Sequence, residues 1–469
     1  MSSSTKRCLA AGLCLAGATP WIGATSRADE AKPVPAAPVS QKQVEALALP
    51  VIEGDWCAGM VVAVITPQRA TYYGFGSTGL TKAPLDERTV FEIGSISKAF
   101  TGLLLADAVE RKEVGLDDPI SNYLPDQVKA PDYQGTPITL LNLSTHTAAL
   151  PRLPDNLRPK DPTNPYADYA PQQLYDFLSG YRLTRKPGER SDYSNLGAGL
   201  LGHLLARRAG KTYEELLVER VCGPLGLADT RITLSADQRS RLAQGHSVDG
   251  EVAPNWDLPT LAGAGALRSS ATDMVHFVQA NLEPSGSPLA SALRMTQAPR
   301  FVVEGETSIG LGWHLNTQSK TVWHNGQTAG YHSFAGFIPE CRAGVVVLAN
   351  SATDLVDAVG VNVLRIQEGL PIDPIKLRPT LKLEAKALEP YVGSYTLAPG
   401  AILSVTRSES QLKAQLTGQP AFKIYPETAS KFYYRVVDAQ LTFEKDKDGK
   451  VTAVVLYQNG QNLKAPRAK

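Results

Sequence analysis

Two short apolar runs, Val61 to Ile65 and Ala70 to Phe75, flank the turn-forming Pro67 and predict a β-hairpin at the start of a sheet. From Ser97 to Arg111 the period becomes helical, with Phe100, Leu103, Leu104 and Ala108 on one face. Further helices are expected at Gln172 to Leu178, Ala198 to Arg208 and Thr212 to Val221. Another begins near Thr272, which suits an N-cap, with Met274, Phe277, Val278 and Leu282 as its inner stripe. Then come three β-rich runs: Thr321 to His324, Ser333 to Ile338 and Gly344 to Leu348. Strands at both ends of a helical middle predict an α/β (α+β) domain, an antiparallel sheet flanked by helices with an inserted helical subdomain. A site between these layers is expected.

The segment Pro151 to Pro171 is rich in Pro, Asp and Asn and too long for a simple connection, which suits a cleft wall. Around Ile366 to Leu388 the chain turns Pro- and Lys-rich, the composition of a domain boundary. Beyond it seven runs alternate as strands: Tyr391 to Tyr395, Ile402 to Thr406, Leu412 to Leu416, Lys423 to Tyr425, Phe432 to Val436, Leu441 to Glu444 and Val451 to Tyr457. Asp448-Gly449 supplies a hairpin turn, and the tail reads as a small all-β barrel or sandwich. The expected organisation is a signal peptide at 1–28, a leader at 29–42, a main domain at 43–370, a linker at 371–384 and a β-domain at 385–469.

The signal assignment rests on Lys6 and Arg7 before the apolar stretch Cys8 to Ala18, with Ser26 and Ala28 as small residues for cleavage. Pro20 and the polar run Thr25 to Glu30 interrupt that stretch before it reaches the roughly 20 residues a membrane span needs. An exported chain, periplasmic or secreted and without a stable membrane span after cleavage, is expected. A formal net charge of +1 argues against nucleic acid as a partner and favours small substrates. Cys57, Cys222 and Cys341 remain after the signal, without metal-ligand spacing, and read as small buried hydrophobes with room for one disulfide at most.

Ser95-Ile96-Ser97-Lys98 places a hydroxyl and an amine three residues apart at a helix start, on one face. A lysine made neutral by burial and a nearby cation can take the serine proton. The same spacing occurs at Ser3/Lys6 and Ser410/Lys413, but only Ser95 joins a β region to a strong helix and follows a glycine, Gly94. Tyr193-Ser194-Asn195 offers a phenol to relay a proton and an amide to hold a substrate carbonyl; the alternative is that Tyr193 packs and Asn195 caps the next helix. A phenol beside a lysine ammonium is expected to have a lowered pKa. Tyr457-Gln458-Asn459 repeats the tripeptide at a strand end of the tail.

His324-Asn325-Gly326 ends a β-run and is followed by Gln327. A strand edge here can present the Gln327 N–H beside that of Ser95 as a two-donor oxyanion hole, with His324 facing the cleft. Lys186-Pro187-Gly188 and Lys447-Asp448-Gly449 compete formally, but one precedes Tyr193 and the other is a hairpin turn. Gly74 to Gly79 matches a dinucleotide fingerprint by spacing, yet no helix opens after it. No Gly-x-Ser-x-Gly elbow is present, which argues against an α/β-hydrolase.

Phe91-Glu92-Ile93-Gly94-Ser95-Ile96-Ser97-Lys98, then Tyr193-Ser194-Asn195 and His324-Asn325-Gly326, resemble the class C β-lactamase and penicillin-binding serine hydrolase family. The resemblance runs from about Leu47 to Gly369 and includes the blocks Ser144 to Thr147 and Gly263 to Leu267; the tail around Tyr391-Val392-Gly393-Ser394-Tyr395 is similar to lipocalin-like domains. It implies the β-lactamase/transpeptidase-like fold, acylation of Ser95, proton handling by Lys98 and Tyr193, and substrate contacts from Asn195, His324, Asn325, Gly326 and Gln327. No metal or organic cofactor is implied. The chain departs from the family at His324, where the third motif usually has a lysine that helps bind a carboxylate. The implied activity is β-lactam hydrolysis. D,D-carboxypeptidase or endopeptidase action on peptidoglycan peptides, with a possible cell-wall contact, a small-acyl esterase and a non-hydrolysing penicillin sensor are the alternatives.

Overall fold

The computed structural model describes residues 36–79 and 84–468, so the signal segment and most of the leader lie outside the described residues. Regular structure starts within the stretch expected as leader. Helix α1 (Gln41–Glu53) is opened by a capping box in which Ser40 and Gln43 satisfy each other's amides. Just before it, Ala37 N–H donates to Gln367 O at 2.8 Å.

Strands β1 (Gly59–Ile65), β2 (Ala70–Gly76), β3 (Phe301–Glu304), β4 (Thr307–Ile309), β5 (His314–Asn316), β6 (Val322–Gln327), β7 (His332–Ile338) and β8 (Ala343–Ala349) form one sheet. Its order is β2-β1-β8-β7-β6-β5-β4-β3, and its neighbours are antiparallel. Val62 pairs with Val347 and Phe334 with Val347 from the other side. Every residue of β1, β7 and β8 is buried, because helices cover both faces. On one face, Val44, Leu47 and Val51 of α1 and Val356, Val359 and Val363 of the late helix Leu355–Gln367 pack on Val62, Val345 and Val347. On the other, helices α2 (Ser97–Glu110) and Ala271–Leu282 pack on Val61, Ala63 and Val346, with Phe100 stacked on Phe277 at 3.9 Å.

Two local readings are corrected. Helix α2 has no single inner stripe: residues 97–108 are all buried, because the helical subdomain covers the side that faces away from the sheet. The helix expected to start at Thr272 is capped by Ser270, whose Oγ accepts from Asp273 N–H, while the Thr272 hydroxyl donates to Glu87 O. Residues 301–316, to which the sequence reading assigned no element, supply β3, β4 and β5.

The tail folds as eight sequential antiparallel strands: Gly393–Ala398, Ala401–Ser408, Gln411–Leu416, Ala421–Pro426, Lys431–Tyr433, Ala439–Lys445, Val451–Gln458 and Gln461–Pro466. Ala468 N–H donates to Ser394 O at 2.8 Å, bringing the last strand back to the first and nearly closing a barrel. Tyr391, Tyr395, Phe432 and Phe443 fill it. The eighth strand is polar and exposed, so period-2 patterning does not reveal it. The barrel docks through Arg435, whose guanidinium lies 4.0 Å from both the Trp56 and Tyr425 rings, and through Lys423 Nζ, which donates to Asp249 O. Cys57, Cys222 and Cys341 are all free; burial pushes the Cys57 thiol up to about 11 and the Cys222 thiol up to about 12.

Candidate active site

Ser95 stands where the short strand Val90–Glu92 runs through a 3₁₀ turn, Gly94–Ile96, into α2. Gly94 adopts φ 49°, and a Cβ there would sit 2.7 Å from Gln327 N, so only glycine allows this turn to approach β6. One helical turn on, Lys98 is 2% exposed. Its Nζ lies 2.8 Å from Ser95 Oγ, 2.9 Å from Asn195 Oδ1 and 2.7 Å from Ala264 O. Burial, and secondly the charge of Arg152, hold this amine well below the ordinary lysine range. The cation that sequence reasoning called for is therefore Arg152.

Tyr193 donates to Ser95 Oγ at 2.7 Å. Burial foremost raises its pKa, contrary to the lowered value expected from the sequence, and outweighs the Ser95 hydrogen bond and the Arg152 charge, which both lower it. The capping alternative for Asn195 is also settled. Ser194 is the N-cap of helix α3 (Asn195–Ala209): its Oγ accepts from Gly197 N–H and donates to Pro151 O. Asn195 is thereby left to reach Lys98. His146, from the block Ser144 to Thr147, accepts the Ser194 N–H through Nδ1 and packs its ring 4.6 Å from Tyr193. The block Gly263 to Leu267 supplies the Ala264 carbonyl beneath Lys98.

These contacts are compatible with one proton order. A neutral Lys98 amine has two N–H groups for Asn195 and Ala264 and a lone pair for the Ser95 hydroxyl. Ser95 Oγ can still accept from Tyr193. With the amine neutral every group is satisfied, an arrangement that would let the lysine accept the serine proton and the tyrosine donate one.

On β6, Thr328 N–H pairs with Tyr331 O, so by antiparallel alternation the preceding Gln327 N–H points away from β7. Gly326 faces the Ser95 turn, and a Cβ on it would fall 2.8 Å from Ser95 N. The two proposed oxyanion amides thus belong to backbones in direct contact. His324 departs from expectation: it is 2% exposed, does not line the cavity, and is kept neutral by burial, with Nδ1 2.5 Å from Asn325 O. It lies on the Gly326 side of β6 but is covered there, and His314 of β5, 5.0 Å away ring to ring, lines the cavity in its place. Burial lowers the His314 pKa to about 4.

The cavity measures about 590 Å³ and is walled by Ser95, Tyr193, Asn195, Asn325, Gly326 and Gln327 together with residues the sequence reading did not select: Arg152, Tyr166, Trp256, His314, Thr328 and His332. Arg152 and Tyr166 come from the Pro-rich segment expected as a cleft wall. Behind β6, Asp357 binds Asn325 Nδ2 at 2.6 Å and His332 Nε2 at 2.8 Å, and His332 Nδ1 lies 3.2 Å from Gln327 Oε1. No sequence pattern announces this last group, whose members come from β6, β7 and the helix Leu355–Gln367.

A family model described as Beta-lactamase matches residues 44–369, and a domain of unknown function (DUF3471) matches 377–465. A beta-lactamase of Pseudomonas fluorescens is 30% identical over 66% of this chain and 92% of its own length. The D-alanyl-D-alanine-carboxypeptidase/endopeptidase AmpH of Escherichia coli (strain K12) is 29% identical over 63% and 80%. Penicillin-binding protein 4* of Bacillus subtilis (strain 168) is 26% identical over 88% of this chain and 95% of its own, a span that passes beyond the main domain. Among solved structures, a class C beta-lactamase variant shares the fold with a TM-score of 0.61 and 24% identity, over 68% of this chain and 95% of that one. Among the described residues no helix is long and apolar enough to cross a membrane. By the extent of the family match, this chain belongs to the beta-lactamase family of penicillin-binding serine hydrolases.

Proposed function

We propose that the protein is an exported acyl-enzyme hydrolase that opens β-lactam rings through Ser95. The observation that carries this reading is the Tyr193–Ser95–Lys98 chain of short contacts, at 2.7 and 2.8 Å, beside two backbone amides. Lys98 takes the Ser95 proton as Oγ bonds to the lactam carbonyl carbon. The carbonyl oxygen becomes an oxyanion held by the Ser95 and Gln327 N–H groups. As the carbonyl–nitrogen bond breaks, Tyr193 gives its proton to the leaving nitrogen and is reprotonated from Lys98. Water, deprotonated by the same pair, then releases the acyl group. Export rests on the Lys6-Arg7 and apolar N-terminal pattern.

A second reading, D,D-peptidase action on peptidoglycan peptides, draws on the match to penicillin-binding protein 4*, which extends past the main domain. A chromogenic cephalosporin followed over many turnovers separates the two. Sustained turnover abolished by Ser95→Ala supports the hydrolase of β-lactams; a single stoichiometric burst favours the peptidase; turnover that survives Ser95→Ala refutes both.

A further inference from the structure

Arg152 reaches the cavity from a backbone that is pinned at the catalytic helix. Its carbonyl accepts from Asn195 N–H at 3.0 Å and Leu196 N–H at 3.2 Å, the open amides at the start of α3, and the preceding Pro151 carbonyl accepts from Ser194 Oγ at 2.6 Å. The side chain therefore leaves the chain at a fixed point beside Tyr193 and Asn195. Its guanidinium carbon lies 5.1 Å from the centre of the Tyr193 ring. Beyond that contact, among the described residues, no carboxylate lies within ion-pair distance of Arg152 and no side chain or carbonyl accepts from its guanidinium. Arg152 is exposed at the mouth of the cavity, whereas more buried guanidiniums are paired: Arg220 with Glu113, Arg241 with Asp229, Arg268 with Glu92.

The rest of the cleft offers little competing positive charge. Lys98, His314 and His324 are all held toward their neutral forms by burial, and His332 is tied to Asp357. Position 324, where the family's third motif usually carries a lysine, holds a buried histidine that does not line the cavity. On the β6 side the carboxylate of Asp357, bonded to Asn325 and His332, disfavours an anion. A guanidinium with free donors in a cavity with the nucleophile matches the planar oxygens of a carboxylate.

We propose that Arg152 is the specificity-determining anchor for a carboxylate on the substrate, so that the preferred acyl donors are monoanions bound through this wall of the cleft. The proposal rests on the acyl-Ser95 reading. It extends that reading to the substrate's charge and to the side of the cleft that reads it.

The test uses two probe pairs, each a carboxylate and its methyl ester: a chromogenic cephalosporin, and the p-nitrophenyl half-ester of glutarate. Because Arg152 also acts on Lys98, rates are compared on the alkaline plateau of each variant. Wild type is expected to favour the carboxylate of at least one pair about 10- to 100-fold in kcat/KM. Arg152→Gln should bring the acid-to-ester ratio of kcat/KM to within about threefold of unity, whatever its absolute rates, and Arg152→Lys should restore part of the preference. Equal losses on acid and ester would make Arg152 a support for Tyr193 and Asn195 and overturn the proposal. So would a wild type that favours neither carboxylate. If acid-quenched mass spectra show no Ser95 acylation by any of the four probes, the acyl-enzyme reading fails and the anchor with it, an outcome distinct from acylation without charge preference.

Discussion

Replacing Gly326 by alanine adds one methyl group at the seam between the nucleophile turn and β6. The new Cβ would lie 2.0 Å from Ile93 O, 2.7 Å from Ser333 Oγ and 2.8 Å from Ser95 N. Ser333 can rotate, at the loss of its 2.8 Å bond to Ile93 O, but the other two atoms are backbone. Restoring ordinary contact, about 3.5 Å between heavy atoms, needs the two segments to part by about 1 Å or more. Such a shift separates the Ser95 and Gln327 amides. Misplacing reacting groups by about 1 Å costs about 10²-fold, and losing one oxyanion donor about 10²–10³ in kcat. Overpacking of this kind costs about 1–3 kcal/mol of stability, so the variant should still fold. Stopped-flow acylation with a chromogenic β-lactam, beside a thermal melt, reads both quantities. A folded Gly326→Ala enzyme whose acylation rate stays within threefold of wild type would refute the claim that this seam forms the oxyanion site.

Two further outcomes are expected. His146 accepts the Ser194 N–H through Nδ1, a bond an imidazolium cannot accept, and burial foremost lowers its pKa to about 3 from 6.5. Below pH 6.5 the unfolded chain takes up a proton that the folded protein refuses down to about pH 3, so stability falls across that window. At pH 4.5 the loss is about 3 kcal/mol, and melts of His146→Gln should show a shallower acid decline than wild type; parallel curves would count against it. Arg435→Ala removes a cation stacked on Trp56 and Tyr425 and its bonds to Asp55 O and Gly54 O, weakening barrel docking by about 2 kcal/mol. Limited proteolysis should then cut faster within residues 371–384, and an unchanged digestion rate would show that other contacts hold the barrel.

Much of this was legible because it is local. Ser95 and Lys98 need only a helix after a glycine, and the sheet strands β1, β7 and β8 are apolar runs that two covering layers make continuous. What was missed depends on partners distant in sequence. The role of Asn195 turns on Ser194 being the cap, and two adjacent polar residues do not reveal which one caps. His324 shares the Gly326 side of its strand as expected, but only the fold shows that it is covered and that His314 lines the cavity instead. Arg152 lay inside a segment flagged as a cleft wall, but only the fold shows that its backbone closes the start of α3. One signal was available and unused: Asn459 and Gly460 have φ 51° and 75°, and this Asn-Gly pair marks the hairpin into the eighth barrel strand.

The central claim, a covalent acyl group on Ser95 formed with Lys98 as base, is tested most directly by rapid acid quench and intact-mass spectrometry after mixing the mature protein with a penicillin. The account predicts an adduct with the mass of the whole β-lactam, mapped to the peptide containing Ser95. It should be absent in Ser95→Ala and form about 10²–10⁴-fold more slowly in Lys98→Ala. Ring opening with no adduct at any quench time, persisting in Ser95→Ala, would contradict it.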